Sequence, residues 1–335
     1  MDPSYTAFGG GKPLPQGSAP RQIIYEYIKS NTKDGRLPEG FDIPWLEDVW
    51  APGAQDGVAL QHMVPIGSTR DPERDEKILK GLKLMASENN AAHVDEVFAV
   101  FGELDKKDSI VRLFDPIVRT IASRREELDL MALLDFGDFL ICNGTSLLAV
   151  KLGLNVLAPF SVPFVEEVAM EFGVYDEFTY YAARILGNRQ WPNGNAELFD
   201  LAKNVRGWGR IHAVEWLVPA TQEIRDWLLF EGADNTVIPQ YSADICLQKA
   251  EAEKRLEGQL TEKEYYAIEN LIRESLTPGG PCPGVTDGDR LLPKFIEKAA
   301  VFPPDTGVIR MILDSAAEYG LDQSTIETAK KLAGR

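Results

Sequence analysis

The chain has 335 residues, of which 44% are hydrophobic, and its 52 acidic and 35 basic residues give a formal net charge of −17. A chain of this composition can bury a large core, which argues against disorder along its whole length. The negative charge disfavours nucleic acids and anionic membranes, which attract Lys and Arg, and suits a basic protein partner or simply solubility.

The cysteines are odd in number and lie far apart, at Cys142, Cys246 and Cys282. This spacing predicts neither a disulfide framework nor a zinc site. Residues 1–20 lack the apolar run of a signal peptide, and the chain contains no apolar stretch of the about 18 residues that a membrane helix needs. We therefore expect a cytoplasmic protein without a membrane partner.

Glycine and proline set the start of the chain apart from the rest. Residues 1–20 are predicted to form a flexible tail. Residues 21–70 are predicted to form an irregular N-terminal cap segment, in which a helix at 21–30 precedes a stretch whose alternating residues 58–66 permit a single strand. Residues 71–335 are predicted to form an α-solenoid repeat domain, which begins with Asp71 as a helix cap.

Apolar residues recur at helical spacing from residue 71 onward, and Gly, Asn or Pro separates the segments. Thr261 and Glu264 have the spacing of a capping box, which marks the start of one helix. Beyond residue 108, the predicted helices cover residues 109–123, 127–141, 145–157, 163–172, 175–186, 196–217, 221–230, 241–256 and 261–276.

A faint internal repeat supports this architecture. Three amphipathic helices are each closed by a glycine, at Gly173, Gly232 and Gly320. The first two are followed by helices with a matching core, Tyr-Ala-Ala at Tyr181 and Tyr-Ser-Ala at Tyr241, and these tyrosines are 60 residues apart. Helical hairpins of this kind cannot bury their apolar faces alone, so they are expected to stack.

In residues 175–186 and 207–217 the sequence resembles the HEAT-like, armadillo-like family of α-solenoids, and the resemblance extends over about residues 71–335. It implies an all-α fold, in which stacked helical hairpins form a curved right-handed α-α superhelix preceded by a short irregular N-terminal segment. The family usually has a binding role. No catalytic residues come with the resemblance.

Sequence motifs of known enzymes are present only in part in this chain. Gly207-x-Gly209 lacks the third glycine of a dinucleotide site, and Asp135-Phe136-Gly137 lacks the other kinase motifs. The only histidines, His62, His93 and His212, have no second histidine at metal-ligand spacing. We therefore predict no metal site and no cofactor, and we leave open whether the chain is an enzyme, with a non-enzymatic role favoured.

One region has more cations than its surroundings, and aromatic residues are interleaved with them. Arginine can hold an anionic group in two hydrogen bonds, and tryptophan offers a stacking surface. The candidate ligand-binding residues are Arg184, Arg189, Trp191, Arg206, Trp208, Arg210, His212 and Glu215.

A structural interpretation competes with this one. On a helical wheel, His212 and Trp208 lie close to an apolar stripe, so both can belong to the core. Arg206 and Arg210 can equally pair with acidic residues of the next repeat. The two glycines that flank Trp208 weaken the predicted helix and indicate close packing or a kink.

Three functions are compatible with these patterns. The first is a non-catalytic protein-binding or scaffold protein that uses a helical-repeat surface, with an inhibitor or immunity-type protein as a variant. The second is a HEAT-like DNA glycosylase, which the net charge opposes because a duplex needs a broad basic stripe. The third is a small-molecule enzyme with its site near Trp208, Arg210 and His212, in which His212 would act as general base.

Overall fold

The computed structural model describes residues 21–46, 51–63, 71–188, 192–282 and 284–334. Over these residues the regular structure is helical and no strand or sheet forms, which confirms the predicted all-α class. None of the helices in these ranges is long and apolar enough to cross a membrane. The chain divides into two compact units, Met1–Gly209 and Arg210–Arg335.

The described residues of the first unit form ten α-helices and the start of an eleventh. The boundary between the units falls inside α11, after Gly209. The helices are α1 (Ile24–Asn31), α2 (Ala54–His62), α3 (Pro72–Met85), α4 (Val94–Asp108), α5 (Phe114–Ser123), α6 (Leu130–Asn143), α7 (Leu147–Leu157), α8 (Pro163–Gly173), α9 (Thr179–Leu186), α10 (Gly194–Asn204) and α11 (Gly207–Trp216).

The second unit continues α11, and its described residues form seven further α-helices. They are α12 (Gln222–Phe230), α13 (Ala243–Lys249), α14 (Ala252–Glu257), α15 (Glu262–Ser275), α16 (Gly288–Lys298), α17 (Thr306–Asp314) and α18 (Gln323–Ala333). Short 3₁₀ turns connect several helices of both units, at Asn90–His93, Ile110–Leu113, Arg125–Glu127 and Pro239–Tyr241.

Local sequence signals set the helix starts. Asp71 caps α3, because its carboxylate accepts the backbone N–H of Arg74 at 3.0 Å, and Pro72 occupies the first turn. The capping box predicted for α15 is complete, with Thr261 and Glu264 each accepting the other's backbone N–H.

Neighbouring helices pack in pairs, as in α6 with α7, α8 with α9, α12 with α13, and α17 with α18. Two of the three glycines of the sequence repeat, Gly173 and Gly232, lie where two helices of a pair approach, whereas Gly320 has open space around it. A Cβ atom on Gly173 would lie 2.9 Å from Cβ of Ala182, and one on Gly232 would lie 2.7 Å from Sγ of Cys246. This packing is compatible with a helical-repeat fold.

Some predicted elements differ from the structure. Residues 54–62 form α2, so the predicted strand is wrong over its described part, while residues 64–66 and the predicted tail at 1–20 lie outside the described residues. The predicted helix 196–217 is divided into α10 and α11, because Val205 is extended and Gly207 has φ of +56°. The predicted helix 241–256 is likewise divided, at Glu251, where φ is +54°.

Helices α3 to α7 enclose the main apolar core of the first unit. Its members are fully or almost fully buried, and they include Ile78, Leu82, Val97, Phe101, Leu113, Ile117, Leu133, Phe136, Leu152 and Val156.

Candidate functional site

Arg184 lies on α9, and the residues described here that contact its side chain belong to the first unit. Its guanidinium donates to the hydroxyl of Tyr180 at 2.7 Å and to the carboxylate of Asp115. The same group lies 4.3 Å above the ring of Phe114, a cation–π geometry. These contacts explain the position of Arg184 without a ligand.

Trp208 is buried in the first unit and packs against the N-terminal segment. Its Cβ would lie 3.0 Å from a Cβ atom placed on Gly53. A Cβ atom on Gly57 would overlap the indole ring itself. The backbone of α2 therefore contacts the side chain of Trp208 directly, at a distance that only a glycine at position 57 permits.

The glycines that flank Trp208 make room for Asp176. A Cβ atom on Gly209 would lie 2.6 Å from one carboxylate oxygen of Asp176, and a Cβ atom on Gly207 would overlap the other. The carboxylate thus lies against the first turn of α11, where the helix dipole favours a negative charge. The close packing that the two glycines predicted is present.

Arg210, His212 and Glu215 belong to the second unit. The guanidinium of Arg210 donates to the carbonyl oxygen of Asp234 at 2.8 Å and lies 5.6 Å above the ring of Trp227. His212 is buried, and its Nδ1 is 3.8 Å from Oε2 of the exposed Glu215. In the same unit, Nζ of Lys249 donates to three carbonyls at the end of α11, those of Val214, Glu215 and Leu217.

The remaining members of the predicted patch give no further support to a common site. Arg206 is exposed just before α11, while Arg189 and Trp191 lie outside the described residues. Burial and internal contacts therefore account for Arg184, Trp208 and Arg210. Ligand binding by the patch stays a prediction.

A buried ionic cluster in the first unit is the main concentration of charge that sequence analysis missed. Nζ of Lys151, on α7, lies 2.7 Å from Oδ2 of Asp56 and 2.5 Å from Oε1 of Glu177. All three side chains are at most 5% exposed. The hydroxyl of Tyr181 also donates to Asp56 at 3.1 Å, and the backbone N–H of Gly53 donates to Glu177 at 2.6 Å.

Two carboxylates share one ammonium group in this cluster, so its full ionisation leaves a buried negative charge. Burial and the charge of Glu177 raise the pKa of Asp56, although Lys151 opposes this shift. Burial alone would lower the pKa of Lys151, but its two carboxylate neighbours raise it above the ordinary value. Lys151 therefore stays charged, and Asp56 takes up a proton more readily than an exposed aspartate does.

A sequence signal for this cluster exists. Lys151 is the only charged residue of α7, whose other residues are all uncharged and mostly apolar. A charge surrounded by buried positions on every side must meet an opposite charge in the fold. The partners could not be named, because Asp56 and Glu177 lie in other segments of an acidic chain.

Compared with protein-family models, with curated proteins and with solved structures, the chain matches none. Its function must therefore be argued from its own residues. In the described part of the chain, no group of three or more His, Cys, Asp or Glu side chains is arranged to hold a metal ion.

A second crowding of like charges occurs between α8 and α10. Burial, followed by the hydrogen bond and the charge of Glu166, raises the pKa of Glu197, and Asp200 adds to the effect. Oε1 of Glu166 and Oε2 of Glu197 are enclosed and accept no hydrogen bond among the described residues. Glu197 therefore takes up a proton more readily than an exposed glutamate does.

This pair predicts a pH dependence of stability. Because the folded-state pKa of Glu197 lies above the ordinary value of 4.5, its stabilising contribution is present below pH 4.5. The contribution is lost as the pH rises through the folded-state pKa. Between pH 4.5 and the folded-state pKa of Glu197, the free energy of unfolding should fall less steeply in Glu197→Gln than in the wild-type chain. Urea denaturation at several pH values measures this fall. Glu167→Gln, at an exposed neighbouring position, is the control, and equal slopes in both variants would contradict the prediction.

The second unit also exposes a set of side chains defined here as the aromatic row: the apolar Phe230, Tyr266 and Val301, together with Lys263. Phe230, Tyr266 and Val301 are 36%, 37% and 67% exposed. Nζ of Lys263 lies 4.3 Å above the ring of Phe230, and Tyr266 follows one turn later on α15. The hydroxyl of Tyr266 donates to the carbonyl oxygen of Pro303 at 3.4 Å, which links α15 to the segment that contains Val301.

Proposed function

We propose that the chain is a non-catalytic protein-binding protein and that the aromatic row of the second unit is its docking surface. The observation that carries the proposal is the exposure of two aromatic rings and a valine on adjoining elements, α12, α15 and the segment after α16. Large apolar side chains that stay exposed on the folded protein mark candidate interaction sites.

Buried aromatic side chains of the core pack against Tyr266 of the aromatic row. The ring of Tyr266 meets the edge of the buried Tyr265 at 5.6 Å between centroids, and Tyr265 stacks on Phe295 at 4.7 Å. A partner would therefore meet a ring whose position is already fixed, which lowers the entropy lost on binding. Tyrosine and other large aromatic residues also dominate the binding energy of protein interfaces.

The charges around the row favour a basic partner. Glu231 follows Phe230 and is exposed, and Glu262 precedes Lys263 and is exposed as well. The net charge of −17 adds a long-range attraction for a basic protein and repels other copies of this chain. We infer a partner that inserts an apolar side chain between basic residues, and whose association slows as salt increases.

The test compares the affinity for the partner of three full-length chains: the wild type, a double variant of the aromatic row and a control variant. The partner is first recovered with the wild-type chain. We expect a Phe230→Ala/Tyr266→Ala variant to bind a partner recovered by the wild-type chain at least tenfold more weakly, a loss of about 1.4 kcal/mol. The matched control is Met131→Ala, which removes a side chain 66% exposed on the first unit. Affinities are measured by calorimetry with the purified partner at low and high salt.

Two outcomes would contradict the proposal. One is equal affinity of the wild-type chain and the aromatic-row variant for the recovered partner. The other is a weakening by Met131→Ala as large as that caused by the double variant, which would place the surface on the first unit. Circular dichroism must show that all three chains are folded.

A further inference from the structure

A two-residue turn in the first unit presents two basic side chains together. Lys33 and Arg36 exchange both backbone hydrogen bonds, with N···O distances of 2.9 Å and 3.0 Å. Asp34 and Gly35 between them have φ of +50° and +72°, the conformation of a type I′ turn, for which Asp-Gly is a preferred sequence. The side chains of Lys33 and Arg36 therefore leave the same face of the turn, and both are exposed.

The end of α10 fixes the guanidinium of Arg36. Its Nε donates to Oδ1 of Asn204 at 2.7 Å. The turn approaches this amide closely, because a Cβ atom on Gly35 would lie 3.2 Å from Nδ2 of Asn204. The hydrogen bond gives the guanidinium a fixed direction, and it does not use the two terminal nitrogens, which are the ones that can hold two oxygens of an anion.

Arg206 lies beside this pair. Val205 is extended, with φ of −88° and ψ of 161°, and its side chain is buried. Side chains alternate along an extended backbone, so those of Asn204 and Arg206 project to the side opposite Val205. Arg206 is exposed, and Asn204 already contacts Arg36. Lys33, Arg36 and Arg206, called the basic triad here, therefore share one surface of the first unit.

The basic triad is unusual in a chain whose net charge is −17. Of the acidic residues next to it in sequence, Asp34 lies in the turn itself, whereas Asp200 pairs with Lys203 at 2.8 Å. The triad and Asp34 together leave a positive surface. Arginine binds phosphate oxygens in pairs and lysine adds a further donor, so this chemistry suits a phosphate group better than a single carboxylate.

We propose that the basic triad binds the phosphate group of a phosphorylated protein segment. A phosphate monoester carries a charge of about −1.5 to −2 at neutral pH and three acceptor oxygens, which match three cationic side chains. Because all three side chains are exposed, a small anion would keep much of its hydration there, and a peptide gains affinity from further contacts along the surface. A nucleic acid is disfavoured, since the net charge repels its many phosphates. This inference does not depend on the aromatic row of the second unit.

The experiment measures the binding of a fluorescent peptide to the full chain by anisotropy at low salt. The peptide consists of alanine and glycine with one central phosphoserine, and the same peptide without phosphate is the reference. We expect the wild-type chain to bind the phosphorylated peptide at least tenfold more tightly than the reference. A short single-stranded oligonucleotide with the same label tests nucleic acid as the ligand.

Arg36→Gln/Arg206→Gln removes two cations of the triad and should weaken binding of the phosphopeptide at least tenfold. The matched control is Lys106→Gln/Arg125→Gln, which makes the same change in net charge at exposed positions of the first unit and should weaken binding less than twofold. Asn204→Ala keeps every charge but releases Nε of Arg36. We expect it to weaken binding at least threefold, which a general effect of charge would not do.

Asp34→Asn tests the triad by a gain of affinity. Asparagine suits the same turn, and the substitution removes the carboxylate next to the phosphate. We expect binding at least twofold tighter than that of the wild-type chain. Because damage to the fold cannot tighten binding, this variant decides the question if the others do not fold.

Three results would overturn the proposal. The first is equal binding of the phosphorylated and the reference peptide, including no binding of either. The second is an equal loss in the two double variants, or unchanged affinity in Asn204→Ala or Asp34→Asn, since binding would then depend on net charge alone. The third is tighter binding of the oligonucleotide than of the phosphopeptide. Circular dichroism shows whether each variant is folded.

Discussion

We expect Lys151→Met to destabilise the first unit by about 3 to 5 kcal/mol, the cost of removing one partner from a buried ionic group. Methionine fills a similar volume, so the loss comes from charge and not from a cavity. Without the ammonium group, Asp56 and Glu177 remain enclosed with no cation, and at least one of them must take up a proton. Urea denaturation at neutral pH, followed by circular dichroism, measures the change.

Asp56→Asn is the matched control for this prediction. It removes one of the two carboxylates and leaves Lys151 with Glu177, so that the buried charges balance. Because burial and Glu177 already disfavour the ionised form of Asp56, we expect this variant to lose less than 1.5 kcal/mol, about one hydrogen bond. Equal losses in the two variants would show that the cluster does not carry the charge imbalance described here.

The second large effect is expected for Trp208→Ala, which should cost about 3 to 5 kcal/mol, as is usual when a buried aromatic side chain is truncated. The indole ring fills the space between α11 and the backbone of α2. Gly57 has no side chain that could fill this space once the indole ring is removed. The same denaturation experiment measures the loss, and faster hydrogen exchange in α2 should accompany it.

Arg206→Ala, two residues earlier, is the matched control for Trp208→Ala. Arg206 is exposed, so its truncation should change the free energy of unfolding by no more than about 0.5 kcal/mol. A small effect of Trp208→Ala, similar to that of Arg206→Ala, would contradict the structural role of Trp208. It would favour the predicted ligand-binding patch instead.

The predicted patch shows where sequence reasoning reached its limit. Arg184, Trp208 and Arg210 each make specific contacts within the fold, and their predicted role in ligand binding stays a prediction. Their proximity in sequence predicts a common site, yet Arg184 binds Asp115 and Tyr180, whereas Arg210 binds a carbonyl in the second unit. A cluster along the chain indicates shared function only if the backbone keeps the side chains on one surface.

The sequence by itself determined the features that depend on a few neighbouring residues. Apolar periodicity predicts the all-α class, Asp71 and Thr261 mark helix starts, and Gly173 and Gly232 mark where paired helices approach. Each of these signals acts within one or two helical turns, because caps and helical periodicity involve residues only three or four positions apart.

Only the tertiary structure decided how residues 21–46 and 51–63 are held and which charges are buried. Asp56 and Lys151 lie in segments far apart along the chain, and either residue alone is a common charged residue of an acidic protein. Their burial is tolerable because the fold brings them within 2.7 Å, where attraction offsets the loss of hydration. The same holds for Gly57 and Trp208, since a close contact between distant segments depends on the path of the backbone and leaves no periodic signal in the sequence.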